Sequence, residues 1–294
     1  MTRHLVARAA ALPVAFSILS SLRFYRGRRG RGLPGTWFVE LLGEIGVEAD
    51  AVRQALYRLE RQQVLVGRKR GRTKIYTPTA SSDAAVDVGA DKLLRNRAEE
   101  PWDRMWTVVH VRLGAEQRDA RNRILDVLRV EGFAPLANGA FIHPRKRWGR
   151  VLAASRDLGV EDGVFTFHGR RTDTDAPRVT AALWDLAVVR LTYERFLSTF
   201  EPLSRRTAAV EPRLAFAGRL VLVHDFLTAA WEDPDLPSEL LADDWPANRA
   251  RRVARLLYER WTPAGLAFGD EILERVAGAP LAVGRRRTRS FGER

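Results

Sequence analysis

Between Ala49 and Thr79 the hydrophobic residues change period once, and that change constrains the fold around it more than any other feature of the 294-residue chain. Val52, Ala55, Leu56 and Leu59 recur at spacings of three and four, the stripe of a helix from Ala49 to Gln62 with one buried face. Val64, Leu65 and Val66 then alternate into GRKRGRTKIYTPT, a hairpin with Gly71 at its tip. A helix with one apolar stripe needs partners to cover it. Two further helical patterns precede it: Val14, Ile18, Leu22 and Tyr25 between Pro13 and Arg26, and Trp37, Phe38, Leu41, Leu42 and Ile45 ending near Gly46. Three helices followed by a basic hairpin make a winged helix-turn-helix.

Charge follows the same boundary. Residues 1–80 hold 15 Lys/Arg against 5 Asp/Glu, and the last fourteen residues hold five Arg against one Glu. With a net charge of +13 for the whole chain, the segment between them is close to neutral. A basic composition spread over the whole surface would not collect in two segments, so the N-terminal module is expected to meet a polyanion. The outward face of the third helix carries Arg53, Gln54, Tyr57, Arg58 and Arg61, with no carboxylate among them. Arg can donate two hydrogen bonds to guanine and Gln can pair with an adenine edge, so this face suits a major groove. Read as a merely solvated face it is unusual, because such faces mix both signs at i,i+4 spacing and Glu60 lies toward the flank. The hairpin tip carries Arg68, Lys69, Arg70 and Arg72, with Lys74 on the return strand. Cations there set affinity through phosphates while the helix sets sequence choice. The cluster Arg26, Arg28, Arg29 and Arg31 is read either as a backbone grip or as a solvated loop.

The chain has no cysteine, which excludes disulfides, a thiolate zinc site and a cysteine nucleophile. The apolar stretch Leu5 to Leu22 is interrupted by Arg8 and broken at Pro13, and no 18-residue uncharged span follows. Phe16, Leu19, Leu22 and Phe24 fit a helical core face better than a cleaved leader.

Residues 81–100 read as a polar joint and a short linking helix from about Asp87 to Arg97. Beyond Pro101 the chain alternates as a strand over Trp106 to Arg112, turns helical over Glu116 to Glu131, and forms two short strands around Asn138-Gly139. A helix from about Arg147 to Leu158 and a strand Val164 to His168 complete a β-α-β-β-α-β order, a ferredoxin-like domain with expected strand order 4-1-3-2. Helices are expected over Ala181 to Phe200, Pro212 to Trp231, Arg249 to Trp261 and Pro263 to Ala277, forming a helical C-terminal region. The expected fold class is therefore α+β and multidomain. Its parts are a winged helix over 1–80, a linker helix over 81–100, a ferredoxin-like domain over 101–175, a helical effector and dimerisation domain over 176–280, and a basic tail over 281–294.

Five blocks together resemble the PaaX-type transcriptional regulators, a family named for the repressor of phenylacetic-acid degradation. They are QALYRLERQQVLVGRKRGRTKIYTPT, EEPWDRMWTVVHVRL, RILDVLRVEGFAPLANGAFIHPR, LWDLAVVRLTYERFLSTFEPL and HDFLTAAWEDPDLPSELLADDWPANRAR. Their joint order, covering most of the chain, is what makes the resemblance specific. It implies a winged-helix DNA-binding domain, a ferredoxin-like centre, a helical C-terminal domain, and a cytoplasmic homodimer that represses an operon from a double-stranded DNA operator. It also implies release by an effector such as an acyl- or aryl-CoA thioester, as in phenylacetate catabolism. The chain departs from the family pattern at Ala247 and Asn248, where many members have a glycine after Asp-Trp-Pro, and in its basic tail.

In the C-terminal region Trp184, Trp231, Trp245 and Trp261 are candidates to line an aromatic effector pocket, although tryptophans at helical spacing are more often core. Arg190, Arg195, Arg249, Arg251 and Arg252 are the cations available to a nucleotide-bearing effector. The acidic loop EDPDLPSELLADD reads as a structural brace, or as a contact for the basic hairpin. His110, His143 and His168 fall on three neighbouring strands and form a weak candidate metal cluster without HxxxH spacing. No cofactor, phosphate loop or serine elbow is read, and an enzyme is not expected. The alternatives kept open are a metal-dependent nuclease or an RNA-binding protein using the ferredoxin-like domain, and the first strand offers Val109, His110, Val111 and Arg112 where a nuclease needs carboxylates.

Overall fold

Pro13 divides the first apolar stretch into two helices, α1 (Thr2–Ala10) and α2 (Val14–Arg29), that bend by 106° across the break. The missing amide proton of proline and its clash with the preceding turn make it a helix start instead of a helix interior. The computed structural model describes residues 2–29, 32–83, 100–170 and 176–277. They form two compact units: Met1–Leu94 with Phe200–Asp225 and Val253–Arg294, and Arg95–Thr199 with Phe226–Arg252.

In the first unit, α2 is followed by β1 (Leu33–Pro34), α3 (Gly35–Gly43), α4 (Ala49–Arg61), β2 (Leu65–Arg70) and β3 (Thr73–Pro78). The four residues expected to face inward from α4, Val52, Ala55, Leu56 and Leu59, are buried. Trp37, Phe38, Leu41 and Leu42 of α3 and Ile18, Leu22 and Tyr25 of α2 are buried as well, and both helices pack against α4. Strand β1 was not expected. It lies in the Gly/Arg-rich connection and pairs with β3 through Leu33–Tyr76 and Pro34–Ile75, giving a three-stranded sheet of order β1-β3-β2. Two residues are too few to show a period, and Pro34 is tolerated because the strand is at the edge.

The second unit is built on β4 (Trp106–Val111), α5 (Arg118–Val130), β5 (Ala134–Pro135), β6 (Ala140–His143), α6 (Gly149–Asp157) and β7 (Val164–Gly169). All pairings are antiparallel and the order is β5-β6-β4-β7, which read from its other edge is 4-1-3-2 in the domain's own count. Val109, Val111 and Val164 pack one face of this sheet onto Ile124 and Leu128 of α5 and Val151 of α6. Trp106, Ala134 and Ile142, on other strand positions, cluster with Leu240, Leu183 and Trp184. Asn138 and Gly139 take φ of 50° and 79°, the left-handed pair a two-residue hairpin turn requires. A side chain at 139 would meet the Val111 carbonyl at 2.6 Å.

The helical region differs from expectation in three places. The helix expected over Ala181 to Phe200 is two, α7 (Ala176–Leu183) and α8 (Leu186–Ser204), because the Asp185 carboxylate accepts the Val188 amide at 3.3 Å and starts a new helix. Helix α8 then continues through Pro202. After α9 (Pro212–Glu232), the two helices expected on either side of Thr262 are one, α10 (Ala247–Ala277), with Pro263 inside it. The Thr262 hydroxyl donates to the Tyr258 carbonyl at 2.6 Å, which supplies a local hydrogen bond where the proline has no amide to give. Stretches of α8, α9 and α10 fall in each unit. Helix α9 is long and apolar enough to cross a membrane, and 61% of that window is buried inside the protein, as expected of a core helix. The expected linker helix over 87–97 and the basic tail lie outside the described residues.

Candidate nucleic-acid interface

Because α4 commits its apolar stripe to the core, Arg53, Gln54, Tyr57, Arg58 and Arg61 are left exposed together. Tyr57 is 59% exposed, a large aromatic surface for a residue that nothing in the core requires to face outward. The Arg61 guanidinium lies 6.0 Å from the Tyr57 ring centroid, and Arg53 donates to Asp50 at 2.6 Å in the first turn. Asp50 thus neutralises part of the N-terminal end of the face, while Gln54 and Arg58 in the middle remain exposed with amide and guanidinium donors.

The hairpin carries the second set. Arg68, Lys69, Arg70 and Arg72 are exposed, and Gly71 turns the chain with φ of 61°. Cross-strand register pairs Lys69 with Lys74 and Arg70 with Thr73, so cations sit directly opposite one another. Lys74 is placed differently from the others. Its ammonium donates to the Glu60 carboxylate at 2.6 Å and lies 5.5 Å from the Tyr76 ring, and the hydrogen bond to Glu60 raises its pKa. Sequence reasoning named Lys74 for the DNA face and left Glu60 on the flank; the fold joins them. Arg31 of the other basic cluster lies outside the described residues, and of Arg26, Arg28 and Arg29 only the helical backbone is described.

The candidate effector residues are dispersed. Trp184 donates its indole N–H to the Gly132 carbonyl at 2.9 Å and packs in the cluster with Trp106 and Ile142. Arg190 forms a two-pronged pair with Asp244 at 3.0 and 2.7 Å, and its guanidinium lies 5.4 Å from the Trp245 ring. Trp231 is 42% exposed. Trp261 belongs to the other unit, against Gly218 of α9. The structure therefore brings Arg190 and Trp245 together and commits Trp184 to the core. Of the other cations, Arg251 donates to Asn248 at 3.1 Å, and Arg195, Arg249 and Arg252 are exposed.

The acidic loop acts as the brace expected of it. Asp233 accepts from the buried Tyr193 hydroxyl at 2.9 Å, the Pro234 carbonyl accepts from His143 Nε2 at 3.0 Å, Asp235 pairs with Arg147, and Glu239 accepts the Trp102 amide at 3.1 Å. Burial pushes the pKa of both Tyr193 and Asp233 up. Asp244 completes the set through Arg190.

The three histidines do not converge. His143 and His168 both stand opposite Thr107, whereas His110 lies three residues further along β4 and so on the other face of the sheet. His143 spends both ring nitrogens on backbone partners, donating to Pro234 and accepting the Arg145 amide at 3.0 Å. Burial, with Arg147 nearby, lowers its pKa to about 3. His168 Nδ1 is 3.1 Å from the Thr107 hydroxyl. Among the described residues no group of three or more His, Cys, Asp or Glu is arranged to hold a metal ion.

Two signals in the first unit were passed over in the sequence. Trp37 donates its indole N–H to the Gly269 carbonyl at 2.8 Å, and the Tyr25 hydroxyl donates to the Gly265 carbonyl, one turn apart on α10. Glycines four apart in GLAFG let the aromatic rings reach a helix backbone, which is a legible spacing. Arg219 of α9 is buried with its guanidinium over the rings of Phe24 and Tyr258, and Arg275 pairs with Glu44 at 2.9 Å. The helices of the N-terminal module are thus fastened to the ends of α9 and α10.

Residues 99–181 match the family described as PaaX protein central Cas2-like domain, and residues 184–271 match the PaaX-like protein C-terminal domain. The chain belongs to the PaaX family. Over 264 residues it is 30% identical to the transcriptional repressor PaaX of Escherichia coli strain K12, an alignment covering 86% of this chain and 81% of that one. Among solved structures it is similar in fold to the uncharacterized protein Rv0674 from Mycobacterium tuberculosis, with a TM-score of 0.55 and 20% identity across 91% of this chain and 99% of the other.

Proposed function

We propose that this protein is a DNA-binding transcriptional repressor and not an enzyme, acting as a cytoplasmic homodimer on a double-stranded operator. Residues 1–80 are its winged helix: α4 enters the major groove with Arg53, Gln54, Tyr57, Arg58 and Arg61, and β2–β3 is the wing, laying Arg68, Lys69, Arg70 and Arg72 on phosphates. The observation that carries this reading is the exposed face of α4, on which Gln54, Tyr57, Arg58 and Arg61 gather as base-reading donors, with Asp50 in the first turn paired to Arg53, on a helix whose other face is buried. The 30% identity to a protein named as a transcriptional repressor supports the same reading.

The ferredoxin-like domain and the helical C-terminal region are the parts assigned to dimerisation and effector binding. An acyl- or aryl-CoA thioester held in the C-terminal region, with Arg190 and Trp245 as its first candidates, would favour a spacing of the two recognition helices that no longer matches the operator. Phe165 and Phe167 stand on one face of edge strand β7, 42% and 63% exposed, an apolar pair that a second copy would cover. The same pair favours one second reading, in which the sheet stacks single-stranded RNA bases.

Run-off transcription from the promoter upstream of the protein's own gene tests the proposal. Addition of the protein lowers transcript yield, and phenylacetyl-CoA restores it. Unchanged yield over a saturating range of protein would sink the repressor reading, and repression that no acyl-CoA relieves would remove the effector part alone.

A further inference from the structure

Glu60 and Lys74 meet over a position that has no side chain. Glu60 leaves the last turn of α4, Lys74 leaves β3, and their 2.6 Å ion pair crosses Gly67 of β2. A Cβ built on Gly67 would run into the Lys74 Cε and would lie 2.6 Å from Glu60 Oε1. Gly67 stands opposite Tyr76 in the hairpin register, and the Tyr76 ring forms the other wall beside the Lys74 ammonium. The backbone at Gly67 is not left-handed, so glycine is not needed there for its conformation. It is needed for the space that the pair fills.

Each end of the pair leaves a different element of the proposed DNA-binding module, the recognition helix and the hairpin. Side-chain exposure is 44% for Lys74 and 27% for Glu60, less than that of the open Arg53–Asp50 pair at 62% and 84%. We infer that Glu60 and Lys74 form a strap across Gly67 that fixes the hairpin against α4, which makes both positioning residues for operator recognition and takes Lys74 out of the set of phosphate ligands. This rests on the proposed function. A wing that must reach phosphates in one register with the groove-bound helix loses discrimination when the two can move independently, because a loose wing finds phosphates on any sequence.

The test uses the full chain as wild type, Gly67→Ala, Lys74→Met, Glu60→Gln and the Glu60→Gln/Lys74→Met double variant. Each is titrated against the duplex upstream of its own gene and against a scrambled duplex over a salt series. Gly67→Ala displaces only the flexible ends of two side chains and changes no charge, so the protein folds with its strap broken. Gly67→Ala is expected to lower the native-over-scrambled preference by up to about fivefold at an unchanged salt slope. Lys74→Met leaves the slope unchanged as well. Glu60→Gln frees the lysine, tightens scrambled binding and steepens the slope by about 0.9. The inference is overturned if Lys74→Met flattens the slope by about 0.9 and weakens both duplexes alike while Gly67→Ala keeps its preference. If the wild type prefers neither duplex, the proposed function has failed, and the strap is then decided by urea unfolding of wild type, both single variants and the double. Non-additive midpoints support it and additive ones overturn it.

Discussion

Gly269→Ala places one methyl group against the ring that fastens α2 to α10. Its Cβ would meet Tyr25 Cε1 at 2.5 Å and approach the phenol carbon and hydroxyl more closely still, where carbon atoms in contact sit at ~3.5–4 Å. Tyr25 cannot step aside. It is 3% exposed, with the rings of Phe24 and Trp37 each 4.9 Å away edge-on, and its hydroxyl is spent on the Gly265 carbonyl. Overpacking of this kind costs about 1–3 kcal/mol. Moving the ring also strands a buried hydroxyl, at about 1 kcal/mol or more. The total of about 2–4 kcal/mol is a large part of ordinary domain stability and corresponds to roughly 5–15 °C of melting temperature. Thermal and urea unfolding followed by circular dichroism measure it, with Gly43→Ala as control, since that exposed helical glycine has nothing within 4 Å. The control is expected to be neutral or slightly stabilising. A Gly269→Ala protein that unfolds with the control would refute the view that the aromatic contacts hold the N-terminal helices on α10.

Arg58→Ala is expected to cost about 1–3 kcal/mol at the native duplex and much less at scrambled DNA, checked by competition titration at one salt concentration. Lys69→Ala weakens binding to both duplexes alike and lowers the salt slope by about 0.9, measured over the salt series. His143 is held neutral by burial, with a pKa of about 3 against an ordinary value of 6.5. Between those values the unfolded chain binds a proton that the folded chain refuses, so stability contributed by this site is intact above pH 6.5 and falls as pH drops toward 3. The slope approaches about 1.4 kcal/mol per pH unit, and His143→Gln, which keeps a donor for Pro234, is expected to flatten it in urea unfolding from pH 7 to 4.5.

What could be read in advance was whatever depended on local pattern. The stripe Val52, Ala55, Leu56 and Leu59 told which face of α4 is buried, and that same fact exposes Arg53, Gln54, Tyr57, Arg58 and Arg61. Asn138-Gly139 announced its own turn, because few other pairs tolerate two left-handed residues in succession. What stayed hidden depended on register or on a distant partner. The separation of His110 from His143 and His168 needs the alignment of all three to Thr107, which no single strand carries. Strand β1 exists only because β3 offers it an edge. Pro263 was read as a helix boundary from its own chemistry, while Thr262 holds the adjoining turn of a continuous helix. The link between Glu60 and Lys74 joins residues fourteen apart on different elements, and only the empty position at Gly67 hints at it.

The proposed repression depends on α4 reading DNA sequence. Its most direct measurement is the affinity of the purified protein for the duplex upstream of its own gene and for a scrambled duplex of the same composition, from low to physiological salt. Sequence reading predicts a preference that persists as salt rises, because base contacts do not depend on counterion release. Equal affinities that fall together with salt would contradict it and leave only a basic surface.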